Sequence, residues 1–179
     1  MSGKAFLMVQ YQMPEAILEL QRQIDPEDLF VSQKRGFTYG LETEPHVTIA
    51  PCLRNNVKPD NLKKFLQPLQ KYRLELVNLK VFENEDFDVL HFVVKSDALH
   101  LAYNKFAEQY TLSDKYPDYN PHITVAYLKK GKGSAYTKLK FPSQLTMEPT
   151  SFAFSHLVDR KREKVVFTDT KDEVSFIQG

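Results

Sequence analysis

The chain has 179 residues, 42% of them hydrophobic, and a formal net charge of +1. That is enough apolar material for a sizeable core, most simply one domain spanning 1–179 and made of two pseudo-symmetric lobes, and it excludes a tail or a linker. Near-neutral charge argues against a wholesale electrostatic grip on long DNA or RNA and suits a small anionic ligand.

The single cysteine, Cys52, excludes an internal disulfide and a multi-cysteine metal site and fits a reducing cytoplasm. There is no run of about 18 apolar residues and no apolar leader. The expectation is a soluble cytoplasmic protein without a membrane association.

Ala5 to Tyr11 reads as a first strand buried on both faces. Pro14 opens a helical stretch with Ile17, Leu18, Leu20 and Ile24 on its apolar side. Ser32 to Glu44 reads as a loop carrying Lys34, Arg35, Phe37 and Tyr39, and it delivers the chain to a strand beginning at His46. Pro59 to Gln70 shows helical spacing in Leu62, Phe65, Leu66 and Leu69, with Pro68 ending or kinking its last turn. Arg73 to Phe82 and Phe87 to Lys95 form an antiparallel pair about the acidic turn Glu83 to Asp86.

Asp97 is the expected N-cap of a helix reaching Tyr110, with Leu99, Ala102, Tyr103, Phe106 and Tyr110 on one side. Leu112 to Asn120 is a second loop, with Lys115, Tyr116 and Tyr119, leading into a strand at His122. Lys129 to Lys140 reads as a basic exposed loop. Ser151 to Val158 and Lys164 to Thr168 are the last strands, joined by the charged turn Asp159 to Glu163. Helices and antiparallel strands thus recur twice, an α+β pattern with pseudo-twofold repetition.

The repetition centres on two near-identical hexapeptides, PHVTIA at Pro45 to Ala50 and PHITVA at Pro121 to Ala126. With five His in the chain and Thr at roughly 6% of ordinary usage, about 0.3 His-x-Thr triplets are expected by chance. Side chains at i and i+2 of a strand share a face. His46, Thr48 and Ala50 are therefore expected on one side with Val47 and Ile49 on the other, and His122, Thr124 and Ala126 likewise opposite Ile123 and Val125.

Brought face to face across a cleft, two imidazoles and two hydroxyls suit one phosphate. An ordinary imidazole titrates near pH 6.5, so one ring takes a proton from the nucleophile while the other gives one to the leaving oxygen. Thr48 and Thr124 donate hydrogen bonds to the non-bridging oxygens. The scheme needs no metal and no cofactor, and it leaves open which histidine is base and which is acid.

Two His-x-Thr motifs in strands, separated by 76 residues in a chain of this size, resemble the 2H phosphoesterase superfamily, which includes the 2′-5′ RNA ligase-like proteins and 2′,3′-cyclic nucleotide phosphodiesterases. The resemblance implies a bilobal α+β fold with antiparallel sheets around a central groove. It also implies metal-independent phosphodiester cleavage, with catalytic roles for His46, Thr48, His122 and Thr124. Members of that superfamily differ in substrate: terminal or mononucleotide 2′,3′-cyclic phosphates, 2′-5′ oligoadenylates, or, in some viral members, the cyclic oligonucleotide signals of antiviral defence. The first reading is a phosphodiesterase for a short or cyclic oligonucleotide, with a cyclic dinucleotide preferred. The alternatives are action on RNA ends or 2′-5′ oligoadenylate, and, from another class, a non-catalytic protein that sequesters such a nucleotide.

Around the motifs, Phe37, Tyr39, Tyr116 and Tyr119 are candidates to stack on bases, against the simpler reading that they pack loops onto the lobes. Lys34, Arg35, Lys115 and Lys129 are candidates to contact flanking phosphates, whereas Lys130 is read as solvated. Arg160, Lys161 and Arg162 are read as decorating a hairpin turn. A paired-His metal site is disfavoured because neither motif has a nearby third His or Cys and Thr is a poor zinc ligand. His91, His100 and His156 have no partner motif and are assigned structural or surface roles.

Overall fold

The computed structural model describes residues 5–34, 37–53, 61, 74–110, 118–158, 161–167 and 176–178. The expected helix Pro59 to Gln70 falls outside them apart from residue 61, as do Arg35, Lys115, Tyr116 and Arg160. Of Lys34, Phe37, Cys52, His156, Lys161 and Arg162 the backbone alone is described.

Two antiparallel sheets carry the fold, which is α+β. The first holds β1 (Ala5–Tyr11), β4 (His46–Leu53), β9 (Pro149–Val158), β10 (Lys161–Phe167) and β11 (Phe176–Gln178), in the order β11-β10-β9-β1-β4. The second holds β5 (Leu74–Glu83), β6 (Phe87–Lys95), β7 (His122–Lys129) and the short β8 (Thr146–Met147), in the order β7-β6-β5-β8. A two-residue ribbon, β2 (Gln33–Lys34) with β3 (Phe37–Thr38), lies in the first predicted loop. The last turn is tighter than expected, because β10 begins at Lys161 and its ladder with β9 starts at Val158.

Helix α1 (Glu15–Arg22) starts directly after Pro14 and buries Ile17, Leu20 and Gln21. Helix α2 (Asp97–Gln109) buries Leu99, Ala102 and Phe106 at the i, i+3, i+7 spacing of one helical face. Its N-cap is Ser96, not Asp97: the Ser96 hydroxyl accepts from Leu99 N at 3.3 Å, and Asp97 sits in the first turn, where a carboxylate favours the helix dipole. The basic stretch after β7 is also less loose than its composition suggests. Gly133 N donates to the buried Asp88 Oδ2 at 2.9 Å, and the Tyr136 hydroxyl donates to Asp28 Oδ2 at 2.6 Å.

One continuous apolar core joins residues of both sheets, including Leu7, Val9, Val47 and Ile49 from the first and Leu90, Phe92, Ile123 and Val125 from the second. The two motif strands are end members of their hydrogen-bonded orders, β4 beside β1 and β7 beside β6. Each therefore has a strand of its own sheet on one side only, and its second edge needs a partner from elsewhere in the chain.

Candidate active site

The registers of β4 and β7 show a shared irregularity. In the first sheet Met8 pairs with Thr48 but Leu7 pairs with Ala50, so Ile49 is an extra residue. In the second His91 pairs with Thr124 but Leu90 pairs with Ala126, so Val125 is the extra one. Each motif strand thus carries a β-bulge immediately after its threonine, and a bulge resets which side chains face which way.

The alternation expected at the sixth motif position fails for that reason. Ala50 and Ala126 do not share a face with the His and Thr; both are 0% exposed and belong to the core. On β7 it is Tyr127, paired with Val89, that takes the next place on the His122 and Thr124 face. Its hydroxyl lies within hydrogen-bonding reach of Thr124, and burial pushes its pKa upward, so it stays a phenol. The signal for this was in the sequence: the motifs end in two consecutive apolar residues, Ile49-Ala50 and Val125-Ala126, where strict alternation calls for only one.

Both motif histidines are held in the same way. His46 Nδ1 donates to Glu44 O at 2.8 Å and His122 Nδ1 donates to Asn120 O at 2.9 Å. A carbonyl can only accept, so the proton sits on Nδ1 and Nε2 is left for chemistry in both rings. Burial lowers the pKa of His122, the bond to Asn120 O opposes that shift, and the charge of the nearby His46 adds to it. That influence of His46 fits two rings near one another, and burial favours the neutral form of His122.

A third histidine stands on the same face. His91 is 2% exposed, lies opposite Thr124, donates Nδ1 to Val89 O at 3.1 Å, and has its pKa pushed down to about 4, chiefly by burial. Its ring centroid is 5.2 Å from that of His122. No short motif announces it, because its relation to Thr124 exists only across the ladder. The matching place opposite Thr48 is held by Met8, so the two halves share the His-x-Thr pairs but not the imidazole behind them.

The open edges are closed by exchange between the halves. Tyr119, just before β7, donates its hydroxyl to Thr48 O on β4 at 3.0 Å. In return the segment before β4 lies along β7: Glu42 N donates to Val125 O at 3.0 Å and Tyr127 N to Gly40 O at 2.7 Å. The buried Gln21 amide also donates to Val125 O, at 3.0 Å, so the extra residue of the bulge has its carbonyl doubly satisfied. Gly40 sits here at φ +112°, a conformation that favours glycine.

These contacts sort the described candidates from the loops. Tyr39 joins Phe30, Phe87 and Tyr127 in an aromatic cluster whose touching rings have centroids 5.1 to 5.8 Å apart, beside Thr124. Tyr119 has one face stacked on Tyr103 at 4.3 Å and its hydroxyl engaged, which makes it a strut between the halves. Lys129 is seven residues along β7 from His122, roughly 23 Å at about 3.3 Å per residue. There it helps hold the Asp28 carboxyl at a lowered pKa, behind the larger effect of the Tyr136 hydrogen bond. His100 is exposed on α2, with its ring against Tyr119. Among the described residues no group of three His, Cys, Asp or Glu is placed to hold a metal ion, and no helix is long and apolar enough to cross a membrane.

A family model described as the 2′-5′ RNA ligase superfamily matches residues 19–165. Among solved structures the chain is similar to Usb1 of Kluyveromyces marxianus with uridine monophosphate, at 10% identity and TM-score 0.49, covering 91% of this chain and 97% of that chain. It is also similar to LigT of E. coli in apo form, at 13% identity and TM-score 0.49, covering 99% of this chain and 98% of that chain. LigT complexed with 3′-AMP is similar at 14% identity and TM-score 0.43, over 92% of this chain and 94% of that chain. No curated protein matches. Matched over most of its length, the chain belongs to the 2′-5′ RNA ligase superfamily, the 2H phosphoesterases, and is an enzyme of the phosphodiesterase class.

Proposed function

We propose that the two motif strands form the catalytic device of a phosphodiesterase that needs no metal and cleaves a short or cyclic oligonucleotide, with a cyclic dinucleotide as the preferred substrate. The observation that carries this is the matched pair of Nδ1 bonds to Glu44 O and Asn120 O, which leaves two Nε2 atoms on the end strands of the two sheets, each with a threonine two residues on. In this reading 1–179 acts as one unit of two lobes with the phosphate between them.

His122, held neutral by burial, is the general base. Its Nε2 takes the proton of the attacking hydroxyl, from water or a ribose. The new P–O bond forms as the bond to the leaving oxygen breaks, and His46 Nε2–H gives that oxygen its proton. Thr48 and Thr124 donate to the non-bridging oxygens as charge builds there. Tyr127, within hydrogen-bonding reach of Thr124, helps orient the threonine hydroxyl toward the phosphate. The cluster of Tyr39 and Tyr127 beside Thr124 supplies an aromatic surface for one nucleobase, and the net charge of +1 fits a small anion over a long polyanion.

The test is incubation, with EDTA present, against 2′,3′-cyclic nucleotides, 2′-5′ oligoadenylate, and cyclic dinucleotides and trinucleotides, with products separated by chromatography. His46→Ala and His122→Ala are each expected to lower turnover by about 10²- to 10⁴-fold while the fold survives. Intact substrates throughout, from folded protein, overturn the catalytic reading in favour of sequestration. Activity lost with EDTA and regained with a divalent ion overturns the metal-free scheme. Cleavage of 2′-5′ oligoadenylate or 2′,3′-cyclic nucleotides alone overturns the substrate preference.

A further inference from the structure

The face that carries His122 extends past β7 onto β6 and β5, and two residues of β5 stand on it that neither the motifs nor the catalytic scheme uses. Phe82 is a large apolar side chain left 37% exposed. Its ring lies parallel to His91 at 3.8 Å and meets His122 nearly at right angles at 4.9 Å, while the two imidazoles are 5.2 Å apart. A triangle with those sides puts His91 against one face of the phenyl ring and His122 beside its edge. With His91 on one face, the exposure that Phe82 keeps lies next to the proposed base.

Lys80 is the cross-strand partner of His91 and is exposed. Its ammonium is close enough to His91 to contribute to the lowering of that ring's pKa. An aromatic face and a cation, both open and both beside the reacting position, match a nucleobase and a phosphate respectively.

We infer that the open face of Phe82, with the Lys80 ammonium beside it, is a nucleotide subsite on the His122 side of the scissile phosphate: the base stacks on Phe82 and a flanking phosphate meets Lys80. This rests on the proposed function and deepens it. With the Tyr39 and Tyr127 cluster beyond Thr124, the two platforms would take the nucleosides on either side of one phosphodiester.

The experiment reads binding, so it stands apart from turnover. The protein, labelled at phenylalanine rings, is titrated with adenosine 5′-monophosphate and with ribose 5-phosphate, followed by NMR. Adenosine monophosphate is expected to move the Phe82 ring resonances upfield and to bind roughly 10- to 100-fold more tightly than ribose 5-phosphate. Phe82→Leu, which keeps an apolar cover over His91 without a π face, should collapse that ratio toward one, and Phe82→Trp should restore it. Lys80→Ala should weaken both ligands by a similar factor. Unmoved Phe82 resonances, or a ratio that survives Phe82→Leu, overturns the subsite. A protein that binds the base through Phe82 yet leaves every diester in the panel intact refutes the catalytic reading and not this one.

Discussion

Replacing Ala126 by Leu separates two descriptions of the motif that the hexapeptide itself does not distinguish. If strict alternation ran through to the sixth position, the new side chain would stand beside His122 and Thr124 and obstruct the phosphate. The bulge instead turns Ala126 into the core, where it is 0% exposed and paired with Leu90. Leu adds three carbon atoms to a site with no room for them. Such overpacking costs roughly 1 to 3 kcal/mol. For a domain of this size each kcal/mol corresponds to a Tm change of about 2 to 4 °C, so Ala126→Leu should melt about 2 to 12 °C below the parent. Ala50→Leu, at the matching place on β4, should do the same. Calorimetry paired with turnover below the melting range is the assay. A variant that melts with the parent but has lost turnover would show that the side chain lies in the groove, and the argument from register would fail.

Two further predictions concern groups next to the motifs. His91 titrates near 6.5 in an unfolded chain and near 4 in the fold, so between those values the unfolded state binds the extra proton and stability falls as pH falls. His91→Leu removes that dependence, and the stability advantage of the parent over the variant should shrink by about 3 kcal/mol between pH 7 and pH 4 in urea titrations; parallel pH profiles would refute it. Tyr119→Phe removes the hydroxyl that reaches Thr48 O, leaving that carbonyl unpaired at a cost of about 1 to 3 kcal/mol. Denaturation midpoint and kcat should fall together, and a variant equal to the parent in both would remove Tyr119 as a strut.

The sequence displayed the proposed catalytic pairs because their chemistry depends on local order: a His and a Thr two apart on a strand share a face wherever that strand is placed. The strand Ala5 to Tyr11, the hairpin about Glu83 to Asp86 and the apolar side of α2 were legible on the same ground of local period. What lay beyond reach was set by partners remote in sequence. The bulges exist only as a mismatch between β4 and β1, or β7 and β6, and they decide that Tyr127 and not Ala126 faces Thr124. His91 and Phe82 became neighbours of His122 through two successive ladders. Nearness to the motifs in sequence makes Tyr119 and Lys129 candidates for a ligand, whereas Thr48 O and Asp28 decide where they go. Ser96 and Asp97 are both good caps, and the choice between them followed from where β6 ends.

The exchange of contacts between the halves also bears on how the enzyme comes into being. The bond from Tyr119 to Thr48 O spans 71 positions of the chain, and that from Gln21 to Val125 O spans 104. Closures of that length are entropically late events in folding. The β5–β6 and β9–β10 hairpins can gather early, but the β1–β9 ladder closes across as much chain, where Gln10 and Ser151 lie 141 positions apart, and neither motif strand has a finished edge until the other half has been made and docked. Catalytic competence therefore belongs to the last stage of folding, and a chain arrested before it holds both His-x-Thr pairs without an active site.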